Sequence, residues 1–320
     1  MRASAAGIAA SDGGGAAATD RAGAQRPDAD APVSGAPRRG PGLLSPMVVR
    51  VLSAAVLIAA ILGGLASGFA ASAVVLTALI MVGTVEFYLI TRRLGAPAAP
   101  WVLFPLTLAL LFRFQLSALG AWVVPLAVTL AVFAGLSAYV FSPRPVDGMT
   151  RWAYGVAGAL YLGWSLGFYY ALLNMRSPDP GHVGLGWIAA LAGCAIFGDT
   201  AALLVGSRLG RHRFFPQISP QKSIEGAVGG FLAGTLFFAA FTQLLDLPLI
   251  HGLVLGALLS VAAQAGDLVE SQLKRAAGLK DASNLVPGHG GMLDRIDSLV
   301  MLAGVAYYYL ALVLHTRLPQ

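Results

Sequence analysis

Ser271 to Asp297 reads SQLKRAAGLKDASNLVPGHGGMLDRID and concentrates charge in an otherwise apolar chain. Lys274, Arg275, Lys280 and Arg295 alternate with Asp281, Asp294 and Asp297, and His289 stands before the pair Gly290-Gly291. Asp267 and Glu270 lie just upstream, in GDLVES. Alternating cations and carboxylates suit a substrate made of phosphates and divalent metal. The carboxylates hold the metal, and Lys and Arg neutralise the oxygens it leaves over. Glycines at 290 and 291 let backbone amides approach an anion closely.

A second polar stretch, GDTAALLVGSRLGRHRFFPQISPQKSIEGAVGG, covers 198–230. Asp199 falls inside an apolar run, where an ionised carboxylate is costly unless it is paired or lines a wet cavity. Pro220 sets a turn before the next apolar run; Ser219, Ser223 and nearby amides can donate to phosphate, with Lys222 adding charge. Plainer roles compete with these. Asp199 can make a structural hydrogen bond, Glu225 can cap a helix start and pair with Lys222, and isolated cations can be membrane anchors.

The elements that must position these residues are membrane helices. Charged residues are 11% and hydrophobic residues 57% of the 320, and mean hydropathy is +0.74; a soluble domain carries about 25% charged residues. Nine spans are expected, at 47–68, 71–91, 100–116, 119–141, 152–174, 184–206, 226–245, 249–270 and 298–316, each close to the length a bilayer requires. The third is short, so the division around Arg113 leaves eight or ten as alternatives. Residues 1–46 are Ala, Gly, Pro, Asp and Arg with few large apolar side chains, which predicts a disordered tail. No apolar stretch near Met1 resembles a cleaved signal. Residues 47–183 are then N-terminal transmembrane helices and 184–320 a C-terminal transmembrane catalytic region.

With the tail inside, every Lys and Arg except Arg113, Arg176 and Arg317 falls on the cytoplasmic side, 18 of 21. That bias follows the positive-inside rule and puts both polar stretches where nucleotide triphosphates are available. The net charge of +6 reflects these span-end residues; with no long basic tract interleaved with aromatics, nucleic-acid binding is not expected. Cys194 is the single cysteine and lies in an apolar run, which excludes a disulfide framework and a cysteine zinc site. His182, His212, His251 and His315 share no ligand spacing, and Glu86 stands alone in the second span with its role open.

Asp267 ends the eighth span and Asp294 immediately precedes the ninth, so the two can converge on one metal site at the membrane face. Asp297, three residues beyond Asp294, can share its helix face. Asp281 can do likewise or simply pair with Lys280.

The spacing S-x-x-K-R, four residues, K-D, then P-x-H-G-G-x-x-D-R-x-D resembles the signature of the phosphatidate cytidylyltransferases, or CDP-diacylglycerol synthases. Its positions here are Ser271, Lys274, Arg275, Lys280, Asp281, Pro287, His289, Gly290, Gly291, Asp294, Arg295 and Asp297. The D-T-x-A at Asp199 and the S-P-x-K-S-x-E-G at Ser219 also match, so the resemblance covers about 190–300 closely. Val286, Leu203 and Ser207 depart from the pattern; the last two put substrate contacts in doubt there, and Arg208 offers the displaced charge.

The resemblance implies an all-α polytopic fold with a polar cavity facing the cytoplasm and open sideways to lipid, and a homodimer in the inner (plasma) membrane. It implies CTP and phosphatidic acid as substrates and CDP-diacylglycerol and pyrophosphate as products. It points to Asp267 and Asp294 as a dinuclear centre for Mg2+ and a second ion such as K+. Lys274, Arg275, Lys280 and Arg295 would then meet phosphates, and His289 would bind rather than act as a base, since the attacking phosphate is already ionised. Two other readings stand beside this one: a CTP-dependent lipid-alcohol kinase, told apart by its products, and a transporter or scramblase, which would spread charges through the midplane.

Overall fold

In lipid, backbone N–H and C=O groups must bond within their own segment, so apolar runs of this length fold as helices. A computed structural model describes residues 69–115, 120–175, 183–283 and 290–314, with Gly63, Gly64 and Ser67. The chain divides into two units, Met1–Leu43 and Leu44–Gln320, and every described residue belongs to the second. The described residues form helices and no strand, an all-α polytopic membrane protein.

In chain order the helices are α1 (Phe69–Arg93), α2 (Pro100–Leu111), α3 (Gly120–Phe141), α4 (Pro145–Ala159), α5 (Ser165–Leu173), α6 (Val183–Leu209), α7 (Ile224–Phe241), α8 (Leu249–Ala276), α9 (Leu293–Ile296) and α10 (Leu299–Leu312). A π-turn, Leu160–Trp164, joins α4 to α5 in one continuous rod. Seven helices among the described residues are long and apolar enough to cross a membrane, against nine spans expected. The expected first span lies almost wholly outside the described residues. The third is the 12-residue α2, shorter than a bilayer crossing. Pro100 opens it, and Pro105, with no N–H to give, sits inside it.

Outward faces carry Leu126, Phe133, Leu203, Leu232 and Val261, while Leu103, Leu162, Tyr170, Leu191, Leu255 and Leu302 fill the core. Exposed apolar faces are what a lipid-facing surface requires. α6 and α7 meet through small residues. A Cβ added at Gly226 would lie 2.7 Å from the Ala202 carbonyl oxygen, and one at Gly230 would lie 2.8 Å from that of Gly198. Only glycine permits this approach, the small-xxx-small packing of membrane helices.

Two local devices place the polar stretches at one end of this bundle. Ser223 caps α7, its side chain accepting the Gly226 N–H at 3.1 Å. Arg213 and Ser223 form an antiparallel bridge that folds the 213–223 segment back on itself. At the other side, α8 stops in a Schellman turn: Gly278 has φ +68, its N–H reaches the Arg275 carbonyl at 3.0 Å, and that of Leu279 reaches Lys274 at 2.8 Å. The chain therefore reverses directly after Lys274 and Arg275, bringing 280–283 back over the site.

Candidate active site

Asp267, near the C-terminal end of α8, accepts the Lys222 ammonium on Oδ2 and the Ser271 hydroxyl on Oδ1, the latter at 3.3 Å. Asp294, in the first turn of α9, is held more fully. Oδ1 takes the Lys274 ammonium, while Oδ2 accepts the N–H groups of Gly291 at 2.8 Å and Ala282 at 3.0 Å. Lys274 bridges back to Glu270 Oε2 at 2.6 Å, one turn earlier on α8. That contact is an ion pair, and neither carboxylate oxygen of the fully buried Glu270 has a hydrogen-bond partner among the described residues.

Asp199 and Asp297 complete the cluster. Ser298 donates its hydroxyl to Asp199 Oδ2 at 3.4 Å, and its N–H to Asp297 Oδ1 at 2.6 Å. Asp199, Asp267 and Asp297 lie within electrostatic reach of one another, as do Glu270, Asp294 and Asp297. Five carboxyl groups (Asp199, Asp267, Glu270, Asp294, Asp297) thus face two ammoniums (Lys222, Lys274), three more acidic side chains than basic ones. Such an excess in a membrane protein calls for protonation or for further cations. No three Asp, Glu, His or Cys side chains converge at ligand distance among the described residues. Magnesium does not need that many, since it takes one or two carboxylates and completes its shell with water and substrate oxygens. An ammonium seated on each of Asp267 and Asp294 holds the place of a cation, so the donor set fits.

A cavity of about 600 Å³ opens beside Asp267, lined among others by Asp199, Ser207, Arg213, Ser219, Lys222 and Ser223. Its size falls within the range of small-molecule sites, about 300–1,000 Å³. Donors and two cations from the 213–223 segment therefore face carboxylates from α6 and α8 across one space.

Other expected site residues sit differently. Arg275 donates Nε to the Ile218 carbonyl at 3.2 Å and NH1 to that of Leu279 at 3.0 Å, tying the two polar segments together. Lys280 and Asp281 are exposed at the rim. Gly290 takes φ +82 and lies against Asp294 Oδ2. Arg295 is exposed next to Asp294, and His289 lies outside the described residues. Glu225, expected to cap α7 or pair with Lys222, instead accepts the N–H groups of Arg211 and His212, and its Oε1 meets His212 Nδ1 at 2.6 Å.

Sequence reasoning left Glu86 without a role, and the fold gives it one. Fully buried in α1, it accepts the Met292 N–H at 2.9 Å, the Leu293 N–H at 2.6 Å and the Ser283 hydroxyl at 2.5 Å. A carboxylate at a helix N-terminus satisfies donors that have no partner inside the helix. Glu86 thereby fixes the start of α9 and, one residue later, Asp294. The available signal was the charge itself: a lone Glu in an apolar span needs a polar partner.

A polytopic helical bundle with a carboxylate–lysine cluster at one end and a polar cavity beside it defines the class of protein. Residues 48–313 match the cytidylyltransferase family, and the chain belongs to that family. It is similar to the phosphatidate cytidylyltransferase of Bacillus subtilis (strain 168), 36% identical over 156 residues, covering 48% of this chain and 56% of that protein. The enzyme of the same name from Brucella suis biovar 1 (strain 1330) is 36% identical over 177 residues, 54% of this chain and 64% of that protein. That of Staphylococcus aureus (strain COL) is 42% identical over 106 residues, 32% of this chain and 41% of that protein. The chain spans about half the length of the relatives it matches.

Proposed function

We propose that this chain is a phosphatidate cytidylyltransferase, joining CTP to phosphatidic acid to give CDP-diacylglycerol and pyrophosphate for phospholipid synthesis. The observation that carries the reading is the pair Asp267–Lys222 and Asp294–Lys274, two carboxylates each already holding a cation, the first of them lining a polar cavity. Family membership and the names of the relatives support it.

In this reaction a phosphate oxygen of the lipid attacks the α-phosphorus of CTP. The bond from that phosphorus to the oxygen bridging to the β-phosphate breaks, and pyrophosphate leaves with its electron pair. Both reactants are anionic, so the site must neutralise charge and hold the attack in line. Asp267 and Asp294 are the ligands for Mg2+, with a second ion such as K+ offsetting the remaining excess of carboxylates. Bound there, the metal supplies Lewis-acid stabilisation of the phosphate oxygens. Ser219, Lys222 and Ser223 receive the nucleotide phosphates, Lys274 holds Asp294 in register, and Asp297 and Asp199 frame the site through Ser298. Gly290 and Gly291 give the backbone its close approach, with His289 beside them.

The enzyme sits in the inner (plasma) membrane with this end of the bundle toward the cytoplasm, a reading supported by the distribution of Lys and Arg. The resemblance supports a homodimer, which cross-linking in native membranes tests.

Purified protein in phosphatidate–detergent micelles with labelled CTP and Mg2+ decides the reaction. Metal-dependent CDP-lipid and pyrophosphate, lost in Asp294→Ala, is the expected result. Release of CDP with a phosphorylated lipid would replace this reading by a CTP-dependent kinase.

A further inference from the structure

A second cavity, of about 320 Å³, lies between α1, α5, α6 and the α9–α10 segment. It shares no lining residue with the polar cavity. Its walls are apolar, formed by Leu76, Leu79, Ile188, Ala192 and Ile296 among others, and Arg295 is the one charged residue lining it.

The two hydroxyl-bearing residues in its walls are committed elsewhere. Tyr169 donates to the Leu299 carbonyl at 3.2 Å, and Ser72 donates to that of Gly64 at 3.0 Å. A space without polar partners does not hold ordered water, and it takes apolar occupants. It is also elongated. The lining on α1 runs from Ser72 to Ile80, about 12 Å along a helix axis. The far end, at Ser72, Leu173 and Ile188, is remote in the membrane from the carboxylate cluster, whereas the near end is lined by the exposed Arg295, next in sequence to Asp294.

A long apolar tube with a single cation at its mouth is complementary to an anionic lipid, tail inward and phosphate outward. Resting on the reading above, the geometry points to this cavity as the seat of one acyl chain of the lipid substrate, with Arg295 on its phosphate. The two cavities then divide the reactants. The polar one receives the nucleotide from the α6–α7–α8 side. The apolar one receives the lipid from the α1–α5 side, and the phosphate held at Arg295 lies beside Asp294.

The first test uses unaltered protein and a phosphatidate carrying a photoreactive diazirine near the end of one acyl chain. Adducts at Leu76, Leu79, Ile188 or Ala192, suppressed by excess phosphatidate but not by phosphatidylcholine of the same chains, are expected. Adducts confined to outward residues such as Leu126 or Leu232, or equal suppression by both lipids, would mean bulk lipid only and overturn the proposal. The second test is Ile188→Trp, which fills the far end. It is expected to lower kcat/KM for dipalmitoyl phosphatidate about tenfold more than for the dihexanoyl lipid, whose chains stop short of the far end, with the KM for CTP unchanged. Equal losses for the two lipids would count against the cavity. If unaltered protein shows the specific adducts yet makes no CDP-lipid, the reaction assigned above fails while the anionic-lipid site stands.

Discussion

Glu86 on α1 accepts the backbone N–H of Leu293 at 2.6 Å, across 207 positions of the chain. With the bonds from Met292 and Ser283, this one carboxylate joins the early helices to the turn that presents Asp294. Residues that orient metal-binding carboxylates typically change metal affinity or activity by about 10–100-fold when altered. Glu86→Gln is therefore expected to lower kcat within that range and to raise the Mg2+ concentration needed for half-maximal rate. Glu86→Asp, which keeps the charge but not the reach, should recover only part of the loss. A Mg2+ titration checks this; an unchanged titration with reduced activity would leave Glu86 a purely structural group.

Asp267 and Asp294 are each occupied on both oxygens. Asp267→Asn and Asp294→Asn keep the shape and remove the charge, and each is expected to cost about a hundredfold or more in activity. Chelation should abolish turnover, with Mg2+ restoring it. Asp294→Asn leaves Lys274 still paired with Glu270, whereas Lys274→Met strips both Glu270 and Asp294 of their cation. Breaking a buried pair destabilises by about 3–5 kcal/mol, so in thermal unfolding Lys274→Met should be the less stable of the two variants.

Arg275 bonds the carbonyls of Ile218 and Leu279 through two different nitrogens. Lysine cannot reproduce that fork. Arg275→Lys is expected to loosen the 213–223 segment and raise the KM for CTP about fivefold, the equivalent of about one hydrogen bond, with kcat nearly unchanged. A fall in kcat at constant KM would show instead that the guanidinium acts on the reacting phosphates.

Gly230→Ala places a methyl 2.8 Å from the Gly198 carbonyl oxygen, whereas one at Gly198 meets nothing closer than 3.4 Å. The first should destabilise the protein by about 1–3 kcal/mol, and the second should be close to neutral. Paired thermal melts in one detergent test the contrast.

The reacting end of the molecule was legible because its chemistry is local. Asp294, Gly290 and Gly291 lie within five residues, and the α8 terminus carries Asp267, Ser271 and Lys274 one helical turn apart, so spacing alone puts them on one face. Glu86 was not legible, because its partners are set by how α1 packs and no sequence interval encodes that. Arg275 looked like its neighbour Lys274, but adjacent positions on a helix point to different faces, so Lys274 is buried while Arg275 lies across the surface against the Ile218 and Leu279 carbonyls. The apolar cavity left no trace for a different reason. Leu76, Ile188 and Ile296 are what any membrane helix carries, and a void is a property of their packing rather than of their identities. The third span was expected at 100–116, with its division around Arg113 open because Arg113 and Gln115 interrupt Phe112, Phe114 and Leu116; α2 ends at Leu111, and Arg113 turns in against Phe114, Trp164 and Phe168.

Where α6 and α7 touch through backbone at Ala202–Gly226 and Gly198–Gly230, no side chain stands between them to act as a cushion. Mechanically the pair is a double-width strut. Asp199 rides on one half and Ser223 sits at the head of the other. Sway of this strut within the bilayer is common to both residues, so the spacing between a carboxylate and a hydroxyl on opposite helices stays constant while the strut itself moves.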